Sequence, residues 1–76
     1  MAFYKDSTKL VHMTSAEFDK TYSPGQIVPH SGIYSCTGCD KEIAANHGDP
    51  FPPQNHHQHT LLSGAIRWKL IVWTKY

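Results

Sequence analysis

Two cysteines and two histidines have the types and the spacing to hold a metal ion. Cys36 and Cys39 bracket Thr37-Gly38, and His56 and His59 bracket His57-Gln58, giving C-x2-C-x16-H-x2-H. Zinc takes four nitrogen or sulfur ligands in a tetrahedron, and two paired turns supply two each. Two thiolates would cancel the charge of the ion, so the site can be partly buried at modest desolvation cost. Gly38 is expected to give the thiol turn its positive φ and to let amides point at sulfur. His57 competes for either histidine place, and His47 is a more distant competitor. With all four positions filled by protein, the zinc is structural, because none is left for water or substrate.

Little else in the chain points to catalysis. Ser31, Ser35 and Ser63 lie in no nucleophile motif, and no phosphate-cradling glycine loop is present. Asp40, Glu42 and Asp49 lack a paired carboxylate at a meaningful spacing and read as solvated turn residues. The expectation is a protein that is not an enzyme. Two other readings of the thiols stay open. A dithiol redox protein needs an accessible thiol of lowered pKa, usually at a helix N-terminus. Here the pair lies between strand-like segments and lacks a βαβ setting. The other reading is an ordinary pair of cysteines on a metal-free β domain.

Length explains why a metal would matter. A 76-residue chain is one domain, and a core that small rarely gives more than about 3–5 kcal/mol. Seven basic and six acidic residues give a net charge of +1. That balance argues against a long DNA duplex or an anionic membrane as partner. No run of eighteen apolar residues could span a bilayer. Met1 to Asp6 lacks the apolar centre of a secretory signal. A cytoplasmic protein is expected, and there a lone C-x2-C is more often a metal or redox element than a disulfide.

The elements that must position the ligands read mostly as strands and turns. Residues 1–21 look like an N-terminal extension, with Thr14 to Glu17 as a capping box opening a short helix over 15–21. Pro24-Gly25 then makes a turn. Residues 22–76 form a single small β domain. Ile27-Val28 is a short extended run. Gly32 to Ser35 leads into the cysteine turn and Lys41 to Ala45 returns from it as a hairpin. Pro50, Pro52 and Pro53 stiffen the approach to the histidine tract, which is expected to fold back onto the cysteines. The last strand runs from Ile66 to Tyr76, with Ile66, Trp68, Leu70 and Val72 on one face. Arg67, Lys69 and Lys75 fall on the other face, interrupted by Ile71 and Trp73. Trp68, Phe51 and Tyr34 are core candidates. Trp73 is the expected exposed aromatic.

From Tyr22 onward the chain resembles the YjzC-like group of small bacterial proteins. The resemblance is carried by Tyr22-Ser23-Pro24-Gly25-Gln26, Pro29, Gly32-Ile33-Tyr34, Gly48-Asp49, Phe51-Pro52 and Trp68, across residues 22–73. Members of that group can lack the cysteines, which implies a β-fold able to stand without metal. The cysteine turn also resembles a zinc-ribbon knuckle, C-x2-C-G, with Asp40 in place of the glycine and no second cysteine pair. Neither resemblance brings an activity.

Together these readings predict a mainly β fold, a small zinc-ribbon-like antiparallel sheet with one short N-terminal helix. Its expected role is a structural-zinc module that binds a partner protein. The alternative is a single-stranded nucleic-acid module using Arg67, Lys69, Lys75 and Trp73. The sequence leaves the oligomeric state open.

Overall fold

Strand-forming residues decide the architecture. Trp68-Lys69-Leu70-Ile71-Val72-Trp73 is rich in β-branched and aromatic side chains, which pack well on a pleated surface. The computed structural model describes residues 2–52 and 66–74. It contains β1 (Thr21–Tyr22), β2 (Gly32–Cys36), β3 (Glu42–Ala45) and β4 (Trp68–Trp73). They form one open sheet in the order β1-β4-β2-β3, with every neighbouring pair antiparallel. The mainly β expectation holds, and so does the hairpin around the cysteines.

The N-terminal helix is smaller than expected. Residues 16–19 form a single 3₁₀ turn, with Ser15 rather than Thr14 accepting from the Glu17 N–H. The chain cannot continue as helix because Thr21 and Tyr22 pair with Lys69 and Trp68 of β4. A second 3₁₀ turn, Ser7–Lys9, is capped by the Asp6 carboxylate. Neither turn contains a buried residue.

One face of the sheet carries the core. Tyr34 and Cys36 from β2 and Trp68 and Leu70 from β4 are buried, with Ile66 just before β4. Val28 and Phe51 cover them from outside the sheet. That cover is fixed by backbone bonds: Val28 N–H donates to the Asp49 carbonyl (2.8 Å) and Phe51 N–H to the Gln26 carbonyl (2.8 Å). Tyr34 meets Phe51 edge-on at 4.8 Å, and Tyr22 stacks on Phe51 at 5.4 Å. Such ring pairs add about 0.5–1.5 kcal/mol each beyond burial.

The alternation of β4 breaks halfway. Tyr34 pairs with Leu70 but Ile33 pairs with Val72, so Ile71 is an extra residue, a β-bulge. The bulge reverses side-chain parity beyond it. Trp73 therefore stands opposite Gly32 and packs against the core, while Val72 joins Ile33 on the other face. This corrects the expectation that Val72 faces the core and Trp73 faces out. Simple period-two counting cannot see an inserted residue.

Candidate metal centre

The cysteine turn is built by backbone geometry. Cys36 N–H donates to the Lys41 carbonyl (2.8 Å), and Asp40 N–H donates to the Cys36 carbonyl (2.8 Å). Two residues thus oppose one, and the first of them, Asp40, is left-handed at φ 60. That is the pattern of a G1 bulge, where glycine is the usual occupant. Aspartate is among the few other residues that tolerate it. The turn's positive φ therefore belongs to Asp40 and not, as expected, to Gly38.

A second anchor comes from β4. Thr37 N–H donates to the Arg67 carbonyl (2.9 Å), and Cys36 stands opposite Trp68. The turn is thus held from β3 on one side and β4 on the other. Cys36 is fully buried at the end of the core, Cys39 is exposed, and no disulfide joins them. A redox dithiol led by an accessible Cys36 does not match this burial, and the pair sits in a hairpin rather than at a helix start.

Among the described residues, no three metal-ligating side chains converge. The described part of the predicted site is Cys36 and Cys39. His56 and His59, with their competitor His57, lie outside the described residues. His47 lies beyond the far end of β3 from the turn. A four-residue strand separates them by about 13 Å, so His47 is no competitor.

Trp73 is engaged rather than presented to solvent. Its ring meets Phe18 edge-on at 6.0 Å and His30 at 4.4 Å. The expected basic face keeps an exposed Arg67 and a half-buried Lys69, while Lys75 lies outside the described residues. The stacking ring it was to use is covered.

Sequence spacing also missed the arrangement around His30. The Glu17 carboxylate meets Lys20 at 2.9 Å and His30 Nε2 at 3.5 Å. The hydrogen bond from Lys20 is the main cause that holds the Glu17 carboxyl below its ordinary value, with His30 adding to it. The His30 carbonyl accepts from the Tyr34 hydroxyl (2.6 Å). Burial is the main cause that pushes that phenol upward. His30, Ser31, Asn46, His47 and Trp73 line an open groove of about 720 Å³. Glu17 and His30 are thirteen residues apart and share no motif, so no local signal could have joined them.

No family model and no solved structure matches this chain. Protein L of Escherichia coli is 50% identical over 76 residues, spanning 96% of this chain and 86% of that protein. The chain belongs to the family of Protein L. It is therefore one of a small bacterial family, and it aligns with Protein L over most of the length of both. Protein L carries no ligand or reaction in its name. The chemistry open to the Protein L family must be argued from residues such as those above.

Proposed function

We propose that this protein is a small structural-zinc module that binds a partner protein and catalyses no reaction. Cys36 and Cys39 would supply two thiolates, and His56 and His59 two imidazoles. The ion would tie two distant parts of a short chain together, and with four protein ligands it would offer no place for substrate. The same reading places the protein in the cytoplasm. Among the described residues, no helix is long and apolar enough to cross a membrane.

One observation carries the metal reading. The Thr37–Arg67 hydrogen bond brings the chain back into the sheet beside the cysteine turn. His59 precedes Ile66 by seven residues, and a chain of that length spans up to about 25 Å. The turn itself has the bulged, left-handed form that the glycine of a zinc-ribbon knuckle would allow, here achieved by Asp40. The exposed Cys39 leaves one thiol open to an ion arriving from solvent.

The YjzC-like resemblance supports the scaffold rather than the site. Its residues serve turns and core here: Gly25 and Gly48 have positive φ, and Tyr34, Phe51 and Trp68 are buried. A sheet built on them does not depend on the ion for its outline.

Elemental analysis of the purified protein tests the proposal. One zinc per chain is expected, lost in Cys39→Ser and in His59→Ala while the far-ultraviolet circular dichroism persists. Substituting cobalt should produce thiolate charge-transfer absorption. Fully folded protein that holds neither metal would end the reading.

A further inference from the structure

Among the described residues, most of the exposed large apolar side chains lie in one short stretch. Phe3 (98%), Tyr4, Leu10, Val11 (87%) and Met13 are all exposed and lie within residues 3–13. Scattered apolar side chains on a surface need no explanation, but a contiguous set marks an interaction site. This stretch holds no strand and one three-residue 3₁₀ turn, after which Leu10 is extended (φ −122, ψ 143). Within the stretch, Lys9 N–H donates to the Asp6 carbonyl and Leu10 N–H to the Ser7 carbonyl; the backbone groups outside that turn must find partners elsewhere, or stay in water.

The sheet offers such partners at its opposite edge. The order β1-β4-β2-β3 leaves β3 as an edge strand. Cys36 bonds to the turn residues before β3, so alternation along the antiparallel ladder aims the N–H and C=O of Ala44 outward. Ala44 is exposed and small, which lets another backbone approach. Charge also matches. Residues 40–49 carry Asp40, Glu42 and Asp49 against Lys41, while residues 3–13 carry Lys5 and Lys9 against Asp6, so the edge is net acidic and the arm net basic.

We infer that the protein is a two-fold dimer in which the 3–13 arm of each copy docks on the other, its extended part from Leu10 onward adding as a strand to the β3 edge. Strand addition satisfies the backbone of both partners and uses the arm's apolar side chains for specificity. A two-fold arrangement closes, because each copy gives one arm and one edge. Buried aromatics cover about 150–250 Å² each. Two reciprocal arms, with Leu10, Val11 and Met13, then clear the roughly 1,000 Å² that a stable interface requires. A lipid surface fits less well, since extended backbone entering hydrocarbon leaves its polar groups without partners. The inference deepens the partner-binding half of the proposed function and does not involve the metal.

Light scattering on the full chain, over a concentration series and with and without chelator, tests it. A mass of twice the chain is expected in both conditions, so a failed metal reading leaves this result untouched. Deleting residues 2–13, or making Leu10→Lys with Val11→Lys, should give monomers with unchanged circular dichroism. Ala44→Pro removes the outward N–H and should also give monomers. Each variant removes one half of the contact, the arm in one and the edge in the other, so each should be monomeric by itself. A full chain that stays monomeric overturns the inference. So does a dimer that survives arm deletion, or a monomer whose arm sediments with anionic vesicles.

Discussion

Gly32 of β2 lies directly against the main-chain carbonyl of Val72 in β4. A Cβ at Gly32 would run into that oxygen and crowd the Leu70 side chain. The bulge at Ile71 forces this approach, and only glycine leaves room for it. Overpacking costs about 1–3 kcal/mol where neighbours can yield, and a backbone atom yields poorly. Gly32→Ala should therefore lower stability by at least about 2 kcal/mol, read as an earlier denaturant midpoint. A variant as stable as the parent would show that the two strands do not meet this way.

The two cysteines should respond differently once metal is stripped. Cys36 is buried in the core and Cys39 is exposed. Under chelator, Cys36→Ser should cost about 1–3 kcal/mol, because a hydroxyl replaces sulfur among apolar neighbours. Cys39→Ser should stay within about 0.5 kcal/mol of the parent. With zinc present, both should lose the additional stability that a bound ligand confers. Urea titrations of each variant in both conditions separate the packing role from the coordinating one.

Asp40 stands where glycine is most at ease. A left-handed residue with a Cβ costs roughly 1–2 kcal/mol, less for aspartate. Asp40→Gly should leave stability equal or raise it by up to about 0.5 kcal/mol, since lost strain offsets added chain entropy. Asp40→Val should lower it by about 1–2 kcal/mol. If valine is tolerated, the turn does not hold a left-handed residue at this position.

Acid should loosen the 16–19 turn from the sheet. The Glu17 carboxyl is held below its ordinary value of 4.5, first by Lys20 and then by His30. A depressed carboxyl contributes stability above its unfolded value and loses it as pH falls through the folded one. The Phe18–Trp73 ring contact should therefore persist at neutral pH and weaken below about pH 4.5. Glu17→Gln should remove that pH dependence. Nuclear Overhauser contacts between the two rings, followed against pH, give the readout.

Much of the sheet was legible because its signals are local. The cysteine hairpin, the buried Tyr34, Phe51 and Trp68, and the Pro24-Gly25 turn all follow from residue type and neighbours. What could not be read depends on pairing across the sequence. Thr21 and Tyr22 form a strand only because β4 runs beside them. Trp73 faces inward only because Ile71, two positions before it, is an extra residue in the pairing with β2. The left-handed position fell on Asp40 because the hydrogen bonds of the hairpin, not composition, choose it. Of the four proposed ligands, Cys36 and Cys39 sit on the hairpin turn that was legible, and His56 and His59 lie outside the described residues.

The slip at Ile71 makes β4 two half-strands written in different reading frames. Removing that one residue would restore strict alternation to the end of the strand. Val72 would still stand beside Ile33, and the indole of residue 73 would still face the core, because the residue removed is the unpaired one. A single-codon deletion there would thus leave the attachment of the N-terminal turn in place, whereas a deletion at Leu70 or Val72 would cost a paired position.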